Sequence, residues 1–227
     1  EQVWGRAADI AADPSGHLHA IWSGTDPSVT QFVETETPLL MYAYFDGARW
    51  SEPVDIVSQR PTLYYSRIVA DSKGGVHLFW SGDCLYYQHS LDPEPTSAAL
   101  WSSPAQCLTD RPLVTRFGAA ADAAGALYLA LPTAEGTIVS LRSPDLGASW
   151  GPPVTIAGDF AAPARFASNV DLAVDRTGRI HVVWLEVSPT GYPAYGLYYS
   201  ASADQGKTWS AKALLDADRP AEARLIV

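Results

Sequence analysis

The ten residues from Asp175 to Trp184, Asp-Arg-Thr-Gly-Arg-Ile-His-Val-Val-Trp, predict the fold because versions of them occur four times. The other copies occupy residues 13–22, 71–80 and 122–131, so the aspartates that begin successive copies are 51 to 58 residues apart. The third copy is the weakest, with Tyr128 at the histidine position and Leu131 at the tryptophan position. A period of this length indicates a repeat protein with at least four units.

Each copy has the pattern of a β-hairpin. Asp-x-x-Gly predicts a tight turn, because the aspartate side chain bonds nearby backbone N–H groups and glycine adopts a positive φ without a Cβ clash. A short run of small apolar residues precedes each turn, and an alternating apolar strand follows it. Small residues suit strands crowded around a central axis. The pattern therefore predicts a β-propeller, and we call each repeat unit a blade.

A second motif follows two of the hairpins. Residues 143–150 and 202–209 both read Ser-x-Asp-x-Gly-x-Ser/Thr-Trp, residues 46–50 are a shortened form, and blade 2 has a longer loop ending at Trp101 instead. The motif resembles the Asp-box of the sialidase-like β-propellers. The resemblance implies an all-β fold of four-stranded antiparallel blades. It also implies that the Asp-box is a structural turn between the third and fourth strands, on the face away from the ligand site.

The repeat places blades at about 1–57, 58–108, 109–157 and 158–216 in a single domain. Residues 217–227 end in Ala-Arg-Leu-Ile-Val, which is similar to Ser66-Arg-Ile-Val69 at the start of an innermost strand. They are expected to begin a further blade or to close the ring. Sialidase-like propellers usually have six blades, so we expect a piece of a longer protein. Closure by four blades, or by a second copy of the chain, is the alternative.

Composition narrows the classes of partner. The net charge of −10 argues against nucleic acid. No apolar run approaches the roughly 18–20 residues that span a membrane. No signal peptide is visible at Glu1, so any export signal is expected to have been removed or to lie outside this sequence. Nucleotide, zinc-protease and serine-hydrolase motifs do not occur, and no cofactor or metal is expected.

The two cysteines predict a disulfide. Their midpoint falls in the turn-rich segment 92–97, so Cys84 and Cys107 should face each other across neighbouring strands of blade 2. A disulfide implies an oxidising compartment, and the expected location is extracytoplasmic or secreted. Two buried free thiols are the alternative, and a metal site lacks further ligands with suitable spacing.

The arginines concentrate between blades. Of 12 arginines, eight lie in the connections that lead into innermost strands, on the face expected to bind ligand: Arg6, Arg60, Arg67, Arg111, Arg116, Arg165, Arg219 and Arg224. The arginine guanidinium can form bidentate hydrogen bonds with a carboxylate, phosphate or sulfate. The alternative is that these side chains bridge blades by pairing with Asp9, Asp110, Asp171 or Asp218.

A subset should line the axis. Counting back four residues from each turn aspartate gives the heads of the innermost strands, Asp9, Arg67, Gly118 and Asp171. With Arg116, Arg165 and Tyr65, the charged members of this set are the candidate ligand-binding residues.

In sialidases, which this sequence resembles, arginines bind the substrate carboxylate, an aspartate is the acid/base and a Tyr–Glu pair is the nucleophile. Here the Arg-Ile-Pro element is only Arg67-Ile-Val, without the proline. Tyr64 or Tyr65 could supply the phenol and Glu186 the carboxylate.

Other conspicuous side chains are expected to be structural. His19, His77 and His181 recur at one repeat position, as do most tryptophans, and a residue that recurs in every blade serves the blade. Trp4 lies outside the repeat and could stack on a sugar. Tyr192 and Tyr195 could stack on a glycan or cover the blade edge.

Three functions remain open. The sequence favours a non-catalytic propeller module that binds a glycan or protein, possibly anionic, through an arginine-rich face. The first alternative is a sialidase-like glycosidase acting on acidic sugars. The second is a structural spacer in a larger surface protein, in which all the arginines are paired with carboxylates.

Overall fold

The computed structural model describes residues 8–24, 39–57, 63–113, 115–158, 165–188, 190, 194–218 and 220. Its strands, in chain order, are β1 (Asp9–Ala12), β2 (Leu18–Gly24), β3 (Leu39–Phe45), β4 (Val54–Asp55), β5 (Ser66–Ala70), β6 (Val76–Ser81), β7 (Leu85–His89), β8 (Gln106–Cys107), β9 (Gly118–Ala121), β10 (Leu127–Pro132), β11 (Ile138–Ser143), β12 (Val154–Ala157), β13 (Phe166–Val174), β14 (Ile180–Val187), β15 (Ala194–Ser202) and β16 (Ala213–Asp216). One 3₁₀ turn covers Ala98–Leu100. No helix among these residues is long and apolar enough to cross a membrane.

The strands form four antiparallel sheets of four strands each, joined in sequence order within every sheet. The sheets therefore correspond to the four predicted blades. By compactness the chain divides into two units, residues 1–114 with blades 1 and 2 and residues 115–227 with blades 3 and 4.

The Asp-x-x-Gly turns have one geometry in all four blades. In each, one carboxylate oxygen of the aspartate accepts the backbone N–H groups two and four residues later, at 2.6 to 3.1 Å. The fourth residue of each turn has φ between 80° and 89°, a region that glycine enters without strain. These glycines are Gly16, Gly74, Gly125 and Gly178. The turn fixes the register in which each first strand pairs with the second.

The second carboxylate oxygen of each turn faces the recurring histidine or its substitute. In blade 2, Asp71 Oδ2 lies 2.9 Å from His77 Nε2, and His77 Nδ1 lies 2.9 Å from the Tyr87 hydroxyl. Because an ionised carboxylate only accepts, Nε2 of His77 carries the proton and Nδ1 accepts the Tyr87 hydroxyl. His181 repeats both contacts with Asp175 and Tyr199 at 3.1 and 2.8 Å.

Blades 1 and 3 vary this chain of contacts. His19 keeps the tyrosine, with Tyr42 at 2.8 Å, but its Nε2 lies 3.8 Å from Asp13. In blade 3, Tyr128 replaces the histidine and its hydroxyl donates directly to Asp122 at 2.9 Å. Every variant joins the turn to the second strand, so these contacts support the structural role predicted from their recurrence.

The two segments that resemble Asp-boxes, 143–150 and 202–209, are turns between the third and fourth strands, as the resemblance implied. In 202–209, Ser202 Oγ accepts the Gly206 N–H at 2.9 Å, while Asp204 accepts the Thr208 N–H and hydroxyl at 2.9 and 2.5 Å. The Thr208 hydroxyl in particular holds the pKa of Asp204 at about 2. The box at 143–150 has the same contacts at 2.7, 2.8 and 2.6 Å.

Each unit has a core between its two blades. In the first unit, Ile21 and Tyr42 of blade 1 pack with Leu78, Trp80 and Trp101 of blade 2. In the second, the core includes Tyr128, Ile138 and Ile156 of blade 3 with Val182 and Trp184 of blade 4. The recurring tryptophans Trp80 and Trp184 are at most 1% exposed, so they are core residues.

Cys84 and Cys107 form a disulfide with a Cα–Cα distance of 5.9 Å. The midpoint argument expected the two cysteines to be directly opposite each other. This register was wrong, because Cys107 pairs with Tyr86 in β7. The bond therefore runs diagonally across the two outer strands of blade 2.

Acidification from pH 6.5 to 5 should destabilise the protein through its buried histidines. Burial lowers the pKa of His19 and of His77 below the ordinary value of 6.5. As the pH falls below 6.5, the histidines of the unfolded chain therefore bind protons before those of the folded chain. The free energy of unfolding is highest above pH 6.5 and decreases as the pH falls. Each histidine can contribute at most about 1.4 kcal/mol per pH unit to the slope. Urea unfolding at stepped pH measures it.

The matched control gives blade 2 the residues of blade 3 at two positions. Tyr87 pairs with Phe79 in blade 2, and Ser140 pairs with Ala130 at the equivalent position of blade 3. The double variant His77→Tyr with Tyr87→Ser should fold and show a shallower slope between pH 5 and 6.5. An unchanged slope would mean that His77 does not contribute to it.

Candidate functional site

The four predicted strand heads occupy one register position. Each pairs with the residue 12 positions later on the second strand of its blade: Asp9 with Ile21, Arg67 with Phe79, Gly118 with Ala130 and Asp171 with Val183. The count from the turn aspartate therefore located equivalent positions correctly. Their side chains nevertheless have different surroundings.

In the first unit, two of the heads form an ion pair between blades. Arg67 Nη1 lies 3.7 Å from Asp9 Oδ1, and the side chains are 13% and 20% exposed. The other Asp9 oxygen accepts the backbone N–H of Ile68 at 3.1 Å. Asp9 thus orients Arg67 and joins β1 to β5, which is the bridging role that the sequence left open as an alternative to ligand binding.

Tyr65 lies just before β5, in a segment held by its backbone. Its N–H donates to Ser81 Oγ at 3.0 Å, and its carbonyl accepts the Ser81 N–H at 2.8 Å. Its side chain is half-buried, whereas the neighbouring Tyr64 is exposed. This anchoring places Tyr65 two residues from Arg67 on a fixed backbone.

In the second unit, Gly118 is a close-approach position. A Cβ added there would lie 2.4 Å from the backbone nitrogen of Leu172, so β9 and β13 meet backbone to backbone. Asp171, which lies inside β13 at the equivalent register position, is 8% exposed. Arg116 lies two residues before β9 and is half-buried.

Blade 4 is longer than the others at the end where its first strand begins. β13 and β15 each have nine residues, whereas the innermost strands β1, β5 and β9 have four or five. Residues 166–168 and 194–195 form this extension. The additional pairs are Phe166 with Val187, Ala167 with Glu186 and Val187 with Ala194.

Two irregularities accompany this extension. The β13–β14 register shifts between Ser168 and Asp171, and Asn169 there has φ of 49°. The β14–β15 register shifts so that Tyr195 is left between the paired residues Ala194 and Gly196. Bulges of this kind redirect side chains and are common beside functional sites.

Glu186 lies at the centre of the extension. It is 0% exposed, and its two oxygens contact different cations: Oε2 is 3.5 Å from Arg165 Nη1 and Oε1 is 2.5 Å from Lys212 Nζ. The Arg165 and Lys212 side chains are 26% and 27% exposed. A buried carboxylate requires such partners. Glu186 therefore positions two cations that remain open to solvent.

Both cations also stack on aromatic rings. The Arg165 guanidinium carbon lies 4.1 Å from the centre of the Tyr195 ring, and Lys212 Nζ lies 4.8 Å from that of Tyr198. Tyr195 is 38% exposed. We call Arg165, Glu186, Tyr195 and Lys212 the blade 4 platform.

The sequence anticipated only part of this arrangement. Arg165 and Tyr195 were candidates, but Glu186 was considered as a nucleophile, whereas its burial and two ion pairs give it a positioning role. Lys212 was missed because it follows the Asp-box and lies outside the arginine-rich connections. Arg6, Arg60, Arg219, Arg224, Trp4 and Tyr192 lie outside the described residues, as do most of 217–227.

Solved structures with the same fold include proteins of several functions. A protein of unknown function from Dyadobacter fermentans matches with a TM-score of 0.66 at 14% identity, over 92% of this chain and 68% of that one. An α-L-arabinofuranosidase from Fusarium graminearum matches with a TM-score of 0.63 at 15% identity, over 92% and 66%. A Hadza microbial sialidase matches with a TM-score of 0.55 at 20% identity, over 93% and 45%.

These matches establish the fold class. The chain has the all-β architecture of the sialidase-like β-propellers, which glycosidases share with a protein of unknown function. No protein-family model and no curated protein matches the sequence. At these identities the likeness concerns the fold alone.

Gly118→Ala should destabilise the second unit, because the new Cβ would overlap the backbone of Leu172. Overpacking of this kind costs about 1–3 kcal/mol of unfolding free energy, measurable by urea denaturation. Gly151→Ala is the matched control, because a Cβ there would lie 3.4 Å from its nearest neighbour, the Arg142 carbonyl oxygen. Equal effects of the two changes would contradict the close approach at Gly118.

Glu186→Gln should also lower stability, because two cations lose the charge that neutralises them. We expect a loss of about 1–3 kcal/mol, less than for a fully buried pair because the cations are partly exposed. Lys212→Met completes a double-mutant cycle by urea denaturation. The double variant should lose less than the sum of the single losses, whereas additive losses would mean that the two side chains do not interact.

Proposed function

We propose that this chain is a non-catalytic Asp-box propeller module that binds a glycan or protein ligand through its arginine-rich face. The proposal rests on one observation above all. Carboxylates hold two of the candidate arginines in place, Arg67 through Asp9 and Arg165 through Glu186, and both arginines remain partly exposed. A guanidinium held in this way loses little further conformational entropy when it binds an anion.

The same contacts favour binding over hydrolysis. A retaining glycosidase needs a nucleophile that reaches the sugar. Glu186 is fully buried with both oxygens paired, and both oxygens of Asp9 are engaged as well. Carboxylates in these positions orient cations. We therefore place the sialidase-like activity second. The structural spacer is third, because Arg165 and Tyr195 are partly exposed and could contact a ligand.

We also propose an extracytoplasmic or secreted location. Disulfides persist in oxidising compartments and are rare in the cytosol. The Cys84–Cys107 bond fits such a location.

A thermal-shift titration tests the binding function. The panel contains sialic acid, its dehydrated analogue, uronic acids, sulfated sugars and an acidic peptide, with neutral sugars as controls. At least one acidic compound should raise the melting temperature of the wild type, because a ligand that binds only the folded state stabilises it. The variant with Arg67, Arg116 and Arg165 all changed to Ala should show no such rise.

Asp9→Asn is the matched control. It removes the ion pair but keeps the Arg67 charge, so ligand binding should be weakened but not abolished, whereas the triple variant should lose it. Loss of stability in both variants, with no compound raising the melting temperature of the wild type, would support the spacer instead. A rise with sialic acid that is larger with the dehydrated analogue, followed by hydrolysis, would support the glycosidase.

A further inference from the structure

We propose that the blade 4 platform is a subsite for one anionic sugar residue of a polysaccharide. In this inference, which rests on the proposed binding function, Arg165 holds the carboxylate or sulfate group and Tyr195 contacts the C–H face of the sugar ring.

The charges of the platform suit a singly charged anion. One carboxylate, Glu186, faces two cations, so the platform carries a net charge of +1 in a protein whose total is −10. A guanidinium has five N–H donors, and among the described residues Arg165 donates from Nη1 to Glu186 Oε2 at 3.5 Å. The fork geometry of the remaining N–H groups matches carboxylate and sulfate oxygens.

Tyr195 supplies an apolar surface beside that charge. Its position in the β14–β15 bulge turns it away from the regular alternation of the strand. One face of the ring lies 4.1 Å from the Arg165 guanidinium, and the residue is 38% exposed. An aromatic ring with a polar group at its edge is a common element of sites that bind small polar ligands.

The surrounding blade makes the platform rigid. Arg165 is fixed between Glu186 and Tyr195, and strand pairing holds the residues on both sides of the bulge. Gly196 has no room for a side chain, because an added Cβ would lie 2.7 Å from Leu214 and 3.2 Å from the Tyr198 ring. A single ring next to a single fixed guanidinium matches the size of one monosaccharide, which favours a sugar over an extended acidic peptide.

Isothermal titration calorimetry with four probes tests the subsite. The probes are a galacturonic acid tetrasaccharide, a sulfated galactose tetrasaccharide, a neutral galactose tetrasaccharide and a glutamate tetrapeptide. The wild type should bind one or both acidic sugars and neither the neutral sugar nor the peptide. The first two probes distinguish a carboxylate ligand from a sulfate ester.

The variants separate the platform from the rest of the face. Arg165→Lys keeps the charge but loses the fork and the stacked plane, and should weaken acidic sugar binding about ten-fold. Tyr195→Ala should weaken it by a similar factor, whereas Tyr195→Phe, which keeps the ring, should bind like the wild type. Melting temperatures of all three variants, measured in parallel, identify any that are misfolded. If Arg165→Lys is misfolded, the comparison of Tyr195→Ala with Tyr195→Phe tests the subsite.

Three results would overturn the subsite. If Arg165→Lys and Tyr195→Ala bind acidic sugars like the wild type while the triple arginine variant does not, the platform is not the subsite and the binding function stands. Wild-type binding of the glutamate peptide alone would assign the face to a protein ligand. No binding of any probe, together with no thermal shift, would remove both proposals.

Discussion

The carboxylate of each turn aspartate is the constraint on which the rest of the structure depends. One oxygen closes the turn by accepting two backbone N–H groups, and the other faces the histidine, or the tyrosine in its place, on the second strand. The first contact sets the register between the first two strands. The second ties the turn into the body of the blade. Because both recur with nearly the same geometry, the residue four positions before each aspartate occupies the same register position in its blade.

Residues of different chemistry occupy this register position in the four blades. Arg67 and Asp9 neutralise each other across two blades, whereas Gly118 allows two strands to meet at backbone distance. Blade 4 departs from the repeat by extending its strands and placing Tyr195 in a bulge. A partly exposed cation–aromatic pair, Arg165 with Tyr195, lies in this extension. Repetition therefore supplies the frame, and the departure from repetition supplies the most developed candidate site.

Electrostatics connect the platform to the proposed function. An acidic protein repels anions at long range, so anion binding requires cations held close together at a particular place. Glu186 provides such a place by burying its own charge between Arg165 and Lys212. In the proposed function, this carboxylate supports a binding surface and takes no part in catalysis. This distinction depends on its burial, and the residue type alone does not reveal it.

The blades could be predicted from local patterns, because the hydrogen bonds of Asp-x-x-Gly turns and of the turns that resemble Asp-boxes lie within a few residues, and the alternation of each strand is visible in its own residues. The sequence also located equivalent register positions on the four first strands and predicted a structural role for the recurring histidines. Tertiary structure alone decided the bulge at Tyr195, the burial of Glu186 and the contribution of Lys212, which is 26 residues from its partner. The diagonal disulfide and the Asp9–Arg67 pair likewise depended on how strands and blades are placed. Local hydrogen bonding can be read from residue spacing, whereas the charge environment of a side chain depends on residues that only folding brings together.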